Sequence, residues 1–383
     1  MTSITKITSR ITAIVTIAFI VVMSYLTFFH EKDKFSFFEN RVLTEFPIFS
    51  EEGLINGSDI KQLGAYITDH FAGRSRWISA KTIMQTELSE KVVNGVYVSS
   101  ERLLDAETSQ RTPVSFNADI FCRYAEQYDG TVYFTAIPSS SGVYGDLFQG
   151  HTDTRSESQQ ISSFYEFLNN DIKKIDAYNI LKMLNDNYIF YRNDTKWTTY
   201  GAYCVYKTVI QKLGFQPTSY DKYNIEHITD KFRGNLYQRT LSEKPKADTI
   251  DIFKYPNGAI VYSCIKKAND GSTKTADIYD RSRLDSSDMY SVFLGEPAPM
   301  IKITTSVKSK SDKKLLVIKD SYANCFIPFL IQHYSEIVVV SPEDMQGTLS
   351  DYVDINEYSQ TLFLFGVENL GNRDALKKII ERN

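Results

Sequence analysis

The segment Lys313 to Gln332, KKLLVIKDSYANCFIPFLIQ, constrains the fold of this chain more than any other. Its apolar, β-prone run Leu315 to Ile318 passes through Lys319-Asp320-Ser321 into a segment carrying Cys325, Phe326, Phe329 and Leu330 at helical spacing. The pattern predicts a strand, a tight turn and a helix. Ser321 would then sit at the carboxyl end of a strand and the amino end of a helix, where free backbone N–H groups and the helix dipole favour negative charge. Two roles are open to it there. One is a nucleophile whose own turn supplies an oxyanion hole; the other is a helix N-cap, a position that both Ser and Asp favour.

From Arg111-Thr112-Pro113 onward, helix and strand patterns alternate. Phe116 to Tyr128 reads as a helix, and Thr131 to Ile137 as a buried strand ending at Pro138 and the loop Ser139-Ser140-Ser141-Gly142. Gln159 to Asn169 and Ala202 to Leu213 are further helices. Lys314 to Lys319, Glu336 to Val340 and Thr361 to Phe365 are apolar strands, and Arg373 to Ile380 is a closing helix. Such alternation implies an α/β fold with a parallel sheet covered on both faces. Residues 216–310 are richer in Asp, Lys and short β-like pieces such as Ala259 to Ser263, and read as a long β-rich insertion.

The 383 residues suffice for one large domain or two ordinary ones. A net charge of −4 leaves no unbalanced basic stripe, which argues against nucleic acid as a partner. The four cysteines follow no metal-ligand spacing and the five histidines are scattered, so no metal site is expected. No phosphate-binding glycine loop occurs, and no cofactor is expected. Disulfides and buried thiols both remain open for Cys122, Cys204, Cys264 and Cys325.

Ile11 to Phe29 is an uncharged run of about the length that spans a bilayer as a helix. No small-residue cleavage site follows it, so it reads as an anchor rather than a signal peptide. Lys6 and Arg10 precede it, and the positive-inside rule then leaves residues 1–29 as cytoplasmic tail and membrane anchor, with the bulk of the chain extracytoplasmic. Residues 30–110 read as a stalk or N-terminal subdomain, with amphipathic helices over Ile60 to Phe71 and Arg76 to Val93 and a short strand at Gly95 to Val98; the sheet domain occupies 111–383. Asp69-His70 is expected on a solvent-facing surface, because adjacent helical side chains point about 100° apart.

A second candidate segment is Asp194-Thr195-Lys196-Trp197-Thr198, which leads into a helix with Gly201-Ala202-Tyr203. Taken alone it reads as an N-cap with a hydrophobic staple. Together with Lys319-Asp320-Ser321-Tyr322 it resembles the DHHW family and the related alginate O-acetylation proteins, which belong to the SGNH-hydrolase-like α/β/α proteins. Glu39-Asn40-Arg41, Asp69-His70-Phe71 with Arg74, Asn94-Gly95-Val96, Phe232-Arg233-Gly234 and Tyr290 to Gly295 are similar too. The resemblance implies a three-layer α/β/α sheet domain and a serine site that acts on an acetyl ester. It implies Ser321 as nucleophile and Asp194 as orienting acid, with Trp197, Tyr322 and Asn324 expected to bind substrate. Lys196 stands where the family carries histidine.

A lysine base must be neutral. Its reference pKa of about 10.4 makes poising it near 7 cost roughly 4 to 5 kcal/mol. Ser-Lys hydrolases meet that cost by burial, whereas an adjacent Asp194 favours the charged form. His333 would lie roughly 18 Å from Ser321 along a continuous helix. Two readings follow: a serine O-acetylesterase or acetyltransferase acting on cell-envelope polysaccharide with an acyl donor, with Lys196 as base; or a silent relative that binds glycan or an envelope protein through the same cleft.

Overall fold

Leu315 and Val317 face one hydrophobic core, while Leu316 and Ile318 between them face another. The same alternation recurs at Ile337/Val338 and at Leu362/Phe363. Strands buried on both faces need apolar residues at every position, which is why these runs show no polar alternation. In the computed structural model, which describes residues 3–29, 32–88, 90–106, 117–148, 155–308 and 314–380, they form the middle of an eight-stranded sheet.

Its strands are β1 (Thr131–Ile137), β2 (Ile172–Asp176), β3 (Val261–Lys267), β4 (Thr273–Thr275), β5 (Met300–Thr305), β6 (Lys314–Lys319), β7 (Glu336–Val340) and β8 (Gln360–Gly366). The spatial order is β4-β3-β5-β7-β6-β8-β1-β2. The five strands from β7 to β2 are parallel, and β5, β3 and β4 continue the sheet antiparallel. Helix Thr199–Lys212 lies on one face with Phe326 and Phe329, and helices Ala118–Glu126 and Arg155–Phe167 lie on the other. This is the expected three-layer α/β/α arrangement.

The β-rich segment is not a separate appendage. Its strands β3, β4 and β5 extend the main sheet, while Asn224–Phe232 and Asp248–Lys254 form their own antiparallel ribbon. The helix expected after Ser321 is also broken. Ser321–Cys325 is a 3-10 turn, followed by a four-residue α-helix, Ile327–Leu330, with Pro328 in its first turn. Proline lacks the N–H that a continuous helix would need there. All four cysteines are free thiols, with Cys204, Cys264 and Cys325 buried.

The chain divides into two compact units, Met1–Leu88 with Thr240–Ser242, and Ser89–Arg239 with Glu243–Asn383. The boundary expected near 110 lies outside the described residues. In the first unit, α1 (Ser3–Phe29) contains Ile7–Phe29, long and apolar enough to cross a membrane. It is followed by α2 (Ser58–Asp69) and α3 (Arg74–Glu87). Asp69 does not face solvent. Its carboxylate accepts bonds from Arg41 Nη2 at 2.5 Å and Nη1 at 3.1 Å, and from the Thr44 N–H at 2.9 Å. Arg74 bonds Glu39 at 3.0 Å, and His70 Nε2 bonds the Thr44 carbonyl at 3.0 Å. The Arg41 guanidinium holds the Asp69 carboxyl well below the usual carboxylate range. The short motifs around 39–41 and 69–74 are thus the halves of one ion-pair network.

Candidate functional site

The carboxyl ends of β1, β6 and β8 converge, the position where parallel α/β sheets bind ligands. At the end of β6, Asp320 is the N-cap of the 3-10 turn, its Oδ1 accepting the Tyr322 N–H at 2.9 Å. Its Oδ2 accepts the Gly366 N–H at 2.6 Å and Asn369 Nδ2 at 2.8 Å. Burial raises the Asp320 carboxyl to about 6 against these donors. Because the aspartate caps the turn, Ser321 does not. The Ser321 side chain is half-buried, and among the described residues its hydroxyl makes no hydrogen bond.

The loop 194–198 packs against this turn through backbone contacts. Trp197 Nε1 donates to the Tyr322 carbonyl at 2.8 Å, and its ring stacks on Phe326 with centroids 6.1 Å apart. The single Tyr322 O–H is shared between the Thr195 carbonyl, 3.1 Å away, and Glu368 Oε1, 3.0 Å away. Ser140, the first residue of the short helix Ser140–Tyr144 after β1, donates its N–H to the Thr195 carbonyl at 3.0 Å. Segments more than a hundred residues apart are thereby fixed to one another. Trp197 and Tyr322 are both fully buried, so neither presents surface to a substrate; they join the two loops instead. Asn324 is half-buried, and its side-chain oxygen accepts from Lys319 Nζ at 2.8 Å.

Asp194 and Lys196 form an ion pair, Nζ to Oδ1 3.5 Å, and the same oxygen accepts the Lys196 N–H at 2.9 Å. Asp194 Oδ2 accepts the Asn235 N–H at 2.9 Å. A Cβ on Gly234 would lie 1.9 Å from that oxygen, which explains glycine in Phe232-Arg233-Gly234: the carboxylate occupies the space a side chain would take. The Lys196 ammonium sits over the rings of Tyr290, 5.3 Å, and Tyr322, 5.9 Å. Burial works to lower its pKa, but Asp194, Glu368, Asp288 and Asp320 outweigh it and the net direction is upward. Lys196, expected as a base, is held as a cation. No hydrogen bond joins it to Ser321 among the described residues.

Lys319 behaves in the opposite way. It is buried, and burial lowers its pKa despite Asp344 and Asp320. Its amine bonds Asn324, three residues after Ser321 in the 3-10 turn, and no hydrogen bond joins it to Ser321 among the described residues. His333 is engaged elsewhere, with Tyr206 Oη at 2.6 Å, and so is His227, with Asp251 at 2.6 Å. Cys325 is no rival nucleophile, since burial pushes its thiol up to about 12.

A family model described as DHHW protein matches residues 124–340, more than half of the chain and including both loops of the site. The chain belongs to the DHHW family. A DHHW family protein from Eubacterium siraeum DSM 15702 has a similar solved structure, with TM-score 0.65 and 21% identity over 76% of this chain and 97% of that one. Bacillus cereus PatB1 aligns with TM-score 0.60 and 18% identity over 72% of this chain and 96% of its own, and its structure with a sulfonyl adduct aligns with TM-score 0.60 and 17% identity. No curated protein matches the sequence. In this DHHW fold, Lys319, Glu368 and Asn235 bond the two loops of the site, and none of them was among the expected site residues. Glu368 follows a parallel strand by two residues, a position that could have flagged it; Asn235, which gives its N–H to Asp194 and bonds Thr195 through its side-chain amide, follows no such strand and carries no such signal.

Proposed function

We propose that this DHHW protein is an extracytoplasmic, membrane-anchored serine acyl-transfer protein that acts on O-acetyl groups of cell-envelope polysaccharide. The observation that carries the reading is Ser321: a half-buried hydroxyl at the carboxyl end of a parallel strand, released from capping by Asp320, in a turn whose Asn324 is bonded by the buried amine of Lys319. Lys319, neutral more readily than an ordinary lysine, takes the Ser321 proton as Oγ attacks the acetyl carbonyl. The ester bond to the donor breaks, the donor oxygen leaves with that proton, and the acetyl group rests on Ser321 until water or a sugar hydroxyl accepts it. Asp194 and Lys196 hold the neighbouring loop as an ion pair, and the Lys196 charge favours negative charge developing on the carbonyl oxygen.

Turnover of an activated acetyl ester by the full chain tests the reading, with loss in Ser321→Ala and a retained fold as the expected result. Unchanged turnover in Ser321→Ala would sink it. One observation favours a second reading: the lysine in the histidine position is kept protonated by its carboxylates. A silent relative that binds glycan through the cleft would show saturable glycan binding and no ester turnover.

A further inference from the structure

Helix α3 is packed against the outer half of α1. The Trp77 ring meets Phe19 edge-on with centroids 6.2 Å apart, and Phe71 lies 6.3 Å from the same indole. The Ala72 N–H donates to Thr27 Oγ1 at 3.3 Å, Trp77 Nε1 donates to the Ala72 carbonyl at 3.2 Å, and Lys32 Nζ bonds the Thr27 carbonyl. Thr27 is buried by these contacts. Phe19 lies ten residues before the end of α1, about 15 Å along the axis at 1.5 Å per residue. That is about half of a 30 Å hydrocarbon core. If α1 spans a bilayer, a group touching Phe19 is not above the membrane but within it.

The rest of α3 fits that placement. Trp77, Ala80, Met84 and Leu88 recur at helical spacing along one line, and all four are exposed, Met84 by 58% and Leu88 by 72%. The buried residue of the helix, Thr82, points elsewhere. Arg76 and Lys81 flank the line, the disposition of a helix that lies in a membrane interface with long basic side chains reaching back to the headgroups. A surface helix in water would turn such a stripe inward.

Resting on the reading of α1 as a membrane span, we propose that α3 is embedded in the same leaflet as the C-terminal half of α1, with its Trp77–Ala80–Met84–Leu88 line in lipid. The first unit is then seated in the membrane surface rather than raised above it as a stalk.

The chain has two tryptophans, and Trp197 is fully buried, so Trp77 can be read as the difference between the full chain and Trp77→Phe. Full-length protein is placed in nanodiscs of phosphatidylcholine and phosphatidylglycerol whose acyl chains are brominated near the carbonyl, at mid-chain or near the terminal methyl. The expected result is loss of most Trp77 emission in the discs brominated within the chain, with little quenching by aqueous acrylamide. Disc-bound protein whose Trp77 is quenched by acrylamide and by no bromolipid overturns the proposal. Protection from both quenchers also overturns it, because protein, such as a second copy, would then cover the stripe. Failure of the chain to enter discs at all overturns the span on which the proposal rests, and is distinguishable because it is scored before any quenching.

Discussion

Gly234 shows how one missing side chain can hold a site open. Adding a methyl there puts carbon 1.9 Å from Asp194 Oδ2, so Gly234→Ala must expel the carboxylate or shift the loop. The expected outcome is destabilisation of about 1–3 kcal/mol by denaturant titration, with loss of any Ser321 reactivity. His333 makes a different prediction. Burial lowers its pKa to about 4 from 6.5, so the unfolded chain binds the extra proton between those values. Stability tied to His333 is therefore complete above pH 6.5 and is lost as pH falls toward 4, by roughly 3 kcal/mol. His333→Phe should flatten that part of the pH dependence measured by urea unfolding. A slope unchanged by the substitution would contradict the assignment. Asp320 has the opposite sign: its carboxyl is raised to about 6, so its contribution is complete at low pH and declines as pH rises through 6.

At the level of elements, Trp197 is the joint between the 194–198 loop and the turn after β6. Trp197→Phe keeps an aromatic ring against Phe326 but removes the donor to the Tyr322 carbonyl, a fully buried neighbour. The expected cost is about 1–3 kcal/mol, read as a lowered thermal midpoint, with slower acyl transfer because the two loops lose register. Much of this element-level picture was legible in the sequence. The apolar runs 315–318, 336–340 and 361–365 marked the parallel strands, since burial on both faces leaves no polar alternation. The turn at Ser321 was legible as a break between periodicities. What followed it was not, because Pro328 lies inside an apolar pattern that still looks helical. The burial of Trp197 and Tyr322 was not legible for a physical reason: aromatic residues beside a polar motif suit a ligand face and a buried joint equally well, and only packing separates the two. Asp69-His70 failed likewise, since its partners Arg41 and Thr44 lie roughly 25 to 30 residues away.

At the scale of the whole molecule, the two compact units have separate stabilising devices: an ion-pair network around Asp69 in the first and a doubly covered sheet in the second. Asp69→Asn removes the charge that Arg41 and Arg74 both face. Calorimetry of the full chain in detergent should resolve two transitions, with Asp69→Asn lowering only one of them. Because the folded Asp69 carboxyl is held below its ordinary range, that transition should also fall as the solution is acidified below the usual carboxylate range. The fold itself does not decide the chemistry, since one architecture carries many activities. On the proposed reading, that decision rests on Ser321, Lys319 and Lys196.

Intact-mass labelling of the full chain with a sulfonyl fluoride, followed across neutral to alkaline pH, addresses those three residues most directly; a sulfonyl adduct is already recorded for Bacillus cereus PatB1. The account predicts a single adduct at Ser321, absent in Ser321→Ala and Lys319→Met, forming faster as pH rises toward the lowered lysine pKa, and persisting in Lys196→Met. The absence of an adduct at every pH, or one that depends on Lys196 and not on Lys319, would contradict it.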